Sequence, residues 1–263
     1  MGSPSIEVRG FSLELGGKPI LRDVSLRVEP GDFVSVIGPN GAGKTTLLKC
    51  LDRMLHGGTG TIAIKGKPLA AYRQRDLAKA ISYVPQADGR SLPFTVMEFV
   101  LMGRYPHLSP FSSIGEIDRQ AARHALDLVG ARGFAERGLG TLSGGERQKV
   151  FIAAALAQDA EILLLDEPTT FLDPKHQAEI HGILRRLNRE QGLTILATTH
   201  DINSAAMTSE RVLALKEGSV AFCGTPHEMM TASTLERIYG KPFVFVAHPQ
   251  TGQQVVVPEG ATC

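Results

Sequence analysis

The sequence of 263 residues contains no tryptophan, only three cysteines and no long apolar run. Its apolar stretches, such as residues 162–165, have the length of a strand, whereas a membrane span needs about 20 apolar residues. Residues 1–7 lack the basic and then apolar pattern of a secretory signal. If the protein acts at a membrane, we therefore expect it to dock to another chain.

The cysteines and the charge balance exclude further classes. Cys50, Cys223 and Cys263 are odd in number, and no two have the spacing of metal ligands, which favours a reduced, cytoplasmic protein. The 28 basic and 27 acidic residues leave a net charge of +1, which argues against a general nucleic-acid binder. Apolar residues make up 43%, enough for the core of one α/β domain or of a domain with an inserted lobe.

Hydrophobic patterning predicts an α/β fold. Alternating or short apolar runs predict strands at residues 6–8, 11–15, 20–28, 33–37, 81–84, 162–165, 194–198, 211–216, 219–222, 243–247 and 254–257. Helical patterns cover residues 44–55, 95–103, 116–129, 146–157 and 176–190. Strand–helix alternation indicates a parallel sheet with right-handed crossovers. We expect an α/β core (1–87 and 161–240), an inserted helical lobe (88–160) and a C-terminal β tail (241–263).

A glycine-rich loop between a predicted strand and a predicted helix reads Gly-Pro-Asn-Gly-Ala-Gly-Lys-Thr at residues 38–45. It fits the phosphate-binding pattern G-x-x-x-x-G-K-[ST]. Glycines let successive backbone N–H groups point inward, and the helix start adds its positive end. Lys44 is placed to reach the β- and γ-phosphates, and the Thr45 hydroxyl to bind Mg²⁺. This loop predicts nucleotide binding without choosing among kinases, GTPases, helicases and transport ATPases.

Two further segments choose among those classes. Leu-Ser-Gly-Gly-Glu at residues 142–146 opens a predicted helix, where Ser143 and Glu146 could simply form a capping box. An apolar strand then ends in Asp166 and Glu167, which could hold Mg²⁺ through water and polarise an attacking water, or merely cap the next helix. Because the same chain contains a phosphate-binding loop, both segments indicate a nucleotide site more than simple helix caps.

With these blocks in order, residues 5 to about 240 resemble the ATP-binding-cassette (ABC) ATPase family. The phosphate loop is similar to the Walker A loop, Gln86 to the Q-loop glutamine, residues 142–148 to the signature motif, residues 162–167 to Walker B, residues 172–173 to the D-loop, and His200 to the switch histidine. The resemblance implies a P-loop NTPase (RecA-like) core with an N-terminal antiparallel β subdomain and an inserted α-helical lobe. One departure is Leu15 at the usual adenine-stacking aromatic position, for which Phe11 is a candidate substitute.

The resemblance also implies site residues. Catalytic roles fall to Glu167, His200 and Gln86, and Mg²⁺ ligands to Thr45, Gln86 and Asp166. The nucleotide-binding residues are Gly38, Pro39, Asn40, Gly41, Ala42, Gly43, Lys44, Thr45 and Thr46 of one chain, with Ser143, Gly144, Gly145 and Glu146 of a second copy. The expected assembly is a homodimer with two ATP molecules at its interface. The remaining histidines, His176 among them, are predicted to be surface or structural residues.

Residues 101–107, 168–173, Gln177 and 249–252 resemble the branch that imports iron chelates (ferric siderophores), haem or vitamin B12. This branch implies permease subunits in the membrane, a periplasmic or lipid-anchored substrate-binding protein, and a peripheral location on the cytoplasmic face of the inner membrane. The permease contact is expected near Gln86 and residues 88–107, although residues 104–107 could be an ordinary helix end. The alternatives are a soluble ABC ATPase without a transport role and an importer of another small solute or metal.

Overall fold

The structure is a computed structural model that describes residues 2–86, 92–109, 113–247, 252 and 254–258. The chain forms two compact units, one comprising residues up to 68 and from 196 onward, and the other residues 69–195. Predicted features at residues 249–251 and at Cys263 lie outside the described residues.

The first unit contains an antiparallel sheet of order β2-β1-β4-β5. Its strands are β1 (Ile6–Leu15), β2 (Lys18–Val28), β4 (Thr59–Ile64) and β5 (Lys67–Pro68). The two strands predicted at residues 6–8 and 11–15 are one strand, whose register shifts between Val8 and Phe11. Gly10 sits in that irregularity with φ 56°, a conformation that glycine adopts without strain.

The same unit holds a buried parallel pair. Strand β3 (Phe33–Ile37) pairs with β9 (Arg211–Lys216) in parallel, and β9 pairs with β10 (Ser219–Gly224) in antiparallel fashion. Helix α1 (Lys44–Leu51) follows β3 and ends before the predicted residue 55. It stops because Arg53 turns into the left-handed region (φ 58°), and the N–H groups of Met54 and Leu55 both bond to the Lys49 carbonyl.

The C-terminal elements of this unit are helices α7 (Ile202–Thr208), α8 (Pro226–Met229) and α9 (Ala232–Tyr239), and strands β11 (Phe243–Ala247) and β12 (Gln254–Pro258). Strands β11 and β12 confirm the two strands predicted in the C-terminal tail, and they pair in antiparallel fashion. Their apolar face packs into one buried cluster, formed by Ile37, Ile202, Ala205, Val212, Ala214, Met229, Leu235, Ile238 and Val256.

The second unit contains the parallel pair β6 (Ile81–Val84) and β7 (Ile162–Asp166), with Ile81 opposite Ile162. Its helices are α2 (Gln74–Ala80), α3 (Val96–Met102), α4 (Glu116–Leu128), α5 (Gly144–Ala157) and α6 (Pro174–Gln191). Helices α3, α4 and α5 pack on one another. Strand β8 (Thr194–Thr198) crosses the boundary between the two units.

Most predicted elements are confirmed within about three residues, while strands β4 and β5 and helices α2, α7, α8 and α9 were not predicted. Helix α2 has only two buried residues, Leu77 and Ala80, which is too few for a periodic signal. The predicted core, lobe and tail boundaries stay a prediction. Among the described residues, none of the helices combines the length and hydropathy needed to cross a bilayer.

Candidate functional site

The phosphate loop, residues 38–46, leaves β3 and leads into α1. A Cβ atom at Gly38 (φ 139°) would overlap the carbonyl oxygen of Leu215. A Cβ atom at Gly43 (φ 100°) would lie 2.8 Å from Leu21 Cδ2 and 3.0 Å from the Ile20 carbonyl oxygen. Both positions therefore require glycine, because neighbouring backbone encloses the loop.

The start of α1 suits a polyanion. Gly43 is its N-cap and offers no side-chain hydrogen bond to the helix, and the first N–H groups of any α-helix have no intrahelical acceptor. The Lys44 side chain is only 6% exposed, and its Nζ donates to the carbonyl oxygens of Gly38 (2.8 Å) and Pro39 (3.1 Å). Backbone donors, the helix dipole and an enclosed ammonium group together fit the phosphates of a nucleotide.

His200 follows the end of β8 within the same unit. The backbone N–H of Thr199 donates to the Val36 carbonyl oxygen at 3.0 Å, which fixes the residue before His200 beside β3. His200 is exposed, and Asp201 after it caps α7 by accepting from the Ser204 N–H at 3.1 Å. The predicted switch histidine therefore directly follows a residue that is hydrogen-bonded to β3, the strand that leads into the phosphate loop.

In the second unit, the end of β7 gathers several polar side chains. Asp166 is 3% exposed, and its Oδ2 accepts from the hydroxyl of Tyr83 on β6 at 3.2 Å. Glu167 Oε2 accepts from Gln86 Nε2 at 3.4 Å and from Thr170 Oγ1 at 2.7 Å. Glu167 also has φ 47°, unusual for a residue with a side chain, and such backbone strain clusters at functional sites. The structure brings the predicted Gln86 and Glu167 together.

Tyr83 and Thr170 were not among the predicted site residues. Tyr83 lies on β6, which was predicted correctly. It reaches Asp166 only because β6 pairs with β7, and the sequence does not show which strands pair. Thr170 lies three residues after Glu167, a spacing typical of side chains that bond locally in turns. The contact between Thr170 and Glu167 could therefore have been predicted from their spacing in the sequence.

The signature segment at the start of α5 is a capping box, as the sequence allowed. The Glu146 N–H donates to Ser143 Oγ at 3.3 Å, and the Ser143 N–H donates to Glu146 Oε2 at 2.8 Å. The Ser143 backbone bond holds the pKa of Glu146 below its usual value, with Arg137 nearby adding to the effect. Arg137 was not among the predicted site residues. One guanidinium nitrogen contacts the Glu146 carboxylate at 3.2 Å, and the other donates to the Thr141 carbonyl oxygen at 2.8 Å.

The glycines of the signature segment pack on the loop that follows Glu167 and on the first turn of α6. A Cβ atom at Gly145 would overlap the ring of His176, and one at Gly144 would lie 3.5 Å from Leu172 Cδ2. His176 is held in turn by a 2.6 Å contact between its Nδ1 and Asp173 Oδ2. The structure therefore gives His176 a packing role, and it joins the signature segment to the residues just after the Asp-Glu pair.

An apolar cavity of about 390 Å³ lies beside Gln86 in the second unit. Its lining includes Tyr83, Pro85, Gln86, Phe99, Met102 and Phe151. The neighbouring residues 104–107 are mostly an ordinary helix end: Arg104 is 7% exposed and bonds to Asp118 (3.2 Å), and His107 Nε2 contacts the Gln158 carbonyl at 2.8 Å. Only Tyr105 of that stretch is strongly exposed.

The sequence offered Leu15 and Phe11 for the adenine-stacking position. Phe11 is wrong for this role, because its side chain is 5% exposed and a Cβ atom at Gly58 would lie 2.8 Å from its ring. Its face is covered by the unit's own core. Leu15 is partly exposed and has no aromatic face.

Comparison with known proteins extends these observations. Residues 21–170 match the family model described as "ABC transporter". The iron(3+)-hydroxamate import ATP-binding protein FhuC of Bacillus subtilis is 40% identical, over 95% of this chain and 93% of the relative. The ferric enterobactin transport ATP-binding protein FepC of Escherichia coli is 38% identical, over 97% and 95%.

Solved structures agree. A chain of a metal-chelate type ABC transporter in an inward-facing conformation superposes with a TM-score of 0.85 at 28% identity, with 97% of each chain covered. The dimeric ATP-binding cassette MJ0796, bound to ADP and Pi in a post-hydrolysis state, gives a TM-score of 0.72 at 30% identity, covering 84% of this chain and 98% of that one. This chain belongs to the ABC transporter family, as one of its ATP-binding, ATP-hydrolysing subunits.

Proposed function

We propose that this subunit powers the import of a ferric chelate through a separate membrane permease, with haem and cobalamin as the other candidate cargoes. The observation that carries the proposal is similarity over nearly the whole chain to ATP-binding proteins named for ferric hydroxamate and ferric enterobactin. The likeness to a metal-chelate type transporter supports the same assignment. A soluble ATPase without a transport role is not favoured, since both of these relatives are named for import or transport.

The nucleotide would bind through the phosphate loop. Backbone N–H groups at the start of α1 and the enclosed Lys44 ammonium would hold the phosphates. Mg²⁺ would neutralise charge on the β- and γ-phosphates, and Thr45, Gln86 and Asp166 would hold it. The burial of Asp166 and its bond from Tyr83 orient that carboxylate, which is the kind of hard oxygen ligand that Mg²⁺ prefers.

Hydrolysis requires a water molecule aimed at the γ-phosphorus. Glu167 would orient this water or take its proton, and its contacts with Gln86 and Thr170 would hold the carboxylate in place. His200 would contact the γ-phosphate. Gln86 also lines the apolar cavity. It would therefore transmit the change between bound ATP and bound ADP to the partner segment that occupies this cavity.

A homodimer would complete each nucleotide site. Ser143, Gly144, Gly145 and Glu146 of one copy would face the nucleotide held by Lys44 of the other, so that two-fold symmetry builds two equivalent sites. ATP would hold the copies together, and hydrolysis would release them. The dimeric cassette described above, whose structure contains ADP and Pi, supports this arrangement.

A permease segment would dock in the apolar cavity beside Gln86, whose lining includes the exposed side chain of Met102. We further propose a peripheral position on the cytoplasmic face of the membrane, and a periplasmic or lipid-anchored binding protein that delivers the cargo. Neither the cargo nor that binding protein would touch this subunit.

The catalytic assignment is tested by Glu167→Gln. We expect ATP turnover to fall by at least about a hundredfold, because the water loses its orienting carboxylate, while ATP binding persists and an ATP-bound dimer accumulates. Phosphate release and size-exclusion chromatography measure the two effects. Glu190→Gln, at an exposed carboxylate, is the matched control and should be silent. Turnover near the wild-type rate in Glu167→Gln would show that another group activates the water.

The transport assignment is tested by uptake. Cells that lack this chain should lose uptake of a radiolabelled ferric siderophore, and the wild-type chain but not Glu167→Gln should restore it. Normal uptake of ferric siderophore, haem and cobalamin in such cells would contradict the importer assignment without touching the ATPase assignment.

A further inference from the structure

Helix α7, which follows His200, is a poor helix by itself. It has seven residues, Ile-Asn-Ser-Ala-Ala-Met-Thr, and isolated helices of this length are unstable in water. Its hydroxyl groups bond back along the chain, since Thr208 Oγ1 donates to the Ser204 carbonyl and Ser209 Oγ to the Ala205 carbonyl, each at 2.7 Å. Such bonds slightly destabilise helices. The position of α7 must therefore come from tertiary contacts.

The C-terminal elements supply those contacts. The buried face of α7 presents Ile202 and Ala205 to a cluster that includes Leu235 of α9 and Val256 of β12. On its N-terminal side, α7 is joined to His200 by Asp201 alone, and Asp201 caps it. Any displacement of α7 would therefore reach His200 within two residues.

One side chain ties α7 to β12 directly. Asn203 Nδ2 donates to the Val256 carbonyl oxygen at 3.0 Å, and Asn203 Oδ1 accepts from the Val256 N–H at 2.8 Å. In an extended strand, both groups of one residue point to the same edge, so the amide covers the edge of β12 that does not face β11. Residue 256 lies 53 positions further along the chain, and its side chain is buried.

A second residue of the C-terminal segment reaches the same region. The Tyr239 hydroxyl, at the end of α9, is buried close to the Gly38 backbone. Burial raises its pKa to about 12, and the nearby Asp201 carboxylate contributes to the increase, while the Gly38 backbone acts in the opposite direction. Tyr239 also meets Phe243 of β11 edge to face at 5.6 Å. The C-terminal segment thus comes close to both the residue after His200 and the first residue of the phosphate loop.

We infer that Asn203 is a positioning residue for His200: by binding the edge of β12, it fixes α7 and with it the direction in which His200 faces the phosphate loop. The inference rests on the role proposed above for His200. It assigns a part in ATP hydrolysis to residues 254–258, which lie beyond the stretch matched by the family model.

Two substitutions in the full-length chain test it. Asn203→Leu removes both bonds at similar volume, and Asn203→Asp keeps the acceptor but loses the donor. For Asn203→Leu we expect kcat for ATP with Mg²⁺ to fall about tenfold while KM stays within about twofold, because misplacing a positioned group affects turnover more than binding. Asn203→Asp should show a smaller loss. Circular dichroism sets the assay temperature below unfolding for every variant.

The decisive measurement is a double-mutant cycle with His200→Ala. If Asn203 acts through His200, Asn203→Leu should lower kcat in the wild-type background and cause no further loss when His200 is already alanine. Thr231→Ala is the matched control, because it removes the Thr231–Thr234 hydrogen bonds at the start of α9 and leaves the two Asn203–Val256 bonds in place. It should leave kcat unchanged.

Different failures are distinguishable. If His200→Ala lowers kcat but folded Asn203→Leu keeps it within twofold, or if Asn203→Leu causes the same loss in both backgrounds, the positioning role is overturned and the role of His200 stands. If His200→Ala itself turns over ATP at the wild-type rate, the proposed role of His200 falls and the inference falls with it.

Discussion

The helix starts of α1 and α5, which both contain glycine, are built in opposite ways. Helix α1 has Gly43 as its N-cap, in the left-handed region and with no side-chain cap. Helix α5 begins at Ser143 in the extended region (φ −63°, ψ 164°), with a complete capping box and Arg137 behind it. One start is shaped by backbone and enclosed by neighbouring backbone, whereas the other is satisfied by its own side chains.

The difference explains what each start can bind. At α1 an external anion can take the place of a cap, so the phosphate loop is prepared for a ligand that the chain does not contain. At α5 the Ser143 hydroxyl and the Glu146 carboxylate already serve the local N–H groups. A nucleotide there would meet the remaining face of a preformed turn, which suits a second-copy contact better than a primary binding site.

The pKa values of two carboxylates in these helix ends are shifted in opposite directions. Asp52, at the C-terminal end of α1, has its pKa raised to about 6 by burial. Glu146, in the first turn of α5, has its pKa lowered by the Ser143 N–H. The charged form of a carboxylate is therefore stabilised at the start of α5 by a backbone N–H group and destabilised at the end of α1 by burial.

The largest expected effect comes from Gly43→Ala. The added Cβ would contact Leu21 and the Ile20 carbonyl in a left-handed backbone, so we expect a loss of about 2–3 kcal/mol in the free energy of unfolding. ATP binding should weaken more than tenfold, because the loop must open. Thermal melting and calorimetric titration measure both effects.

Gly182→Ala is the control for Gly43→Ala, since nothing lies within 4 Å of a Cβ atom added on α6 there. It should be neutral or slightly stabilising, by up to about 1 kcal/mol. Normal ATP affinity in Gly43→Ala would mean that the start of α1 does not need a glycine, contrary to the contrast drawn above.

A smaller effect is expected for Gly145→Ala at the other helix start. Alanine suits a helix, but its Cβ would overlap His176, which Asp173 holds in place, so we expect a net loss of about 1–2 kcal/mol in the free energy of unfolding. Adding His176→Ala should recover most of that loss. If the double variant is no more stable than Gly145→Ala, the packing of the signature segment on His176 is not the cause.

The smallest effect, and of opposite sign, is expected for Asp52→Asn. The folded-state pKa of about 6 lies above the ordinary 3.8, so ionising Asp52 opposes folding; this penalty is absent below about pH 3.8, grows as the pH rises and is complete above about 6. The shift sets a ceiling of about 3 kcal/mol, and partial exposure reduces the expected gain to about 1 kcal/mol.

Urea unfolding of Asp52→Asn at pH 7.5 and pH 4 measures this effect. The variant should be more stable than the wild type at pH 7.5, and most of the difference should vanish at pH 4. An equal gain at both values would point to a cause other than the charge of Asp52.

Local patterns predicted the elements well where burial is uniform or strictly periodic. Strands β3, β6, β8 and β9 match the predicted ranges because all are short apolar runs. Strands β4 and β5 were not predicted because their residues are mostly exposed. Strand β4 forms by pairing with β1, about 50 residues earlier, and β5 forms by pairing with β4. The end of α1 escaped because it depends on one left-handed residue, Arg53.

The sequence by itself determined the order of the nucleotide-binding motifs, the pattern of the phosphate loop and the capping box of Ser143, since each motif is recognised from residues a few positions apart. Only the tertiary structure decided that Tyr83 orients Asp166, that His176 fills the space beside Gly145, and that Asn203 holds Val256. In the chain, Tyr83 and Asp166 are 83 positions apart, Gly145 and His176 are 31 apart, and Asn203 and Val256 are 53 apart. Residues so distant meet through strand pairing and core packing, which no local pattern encodes.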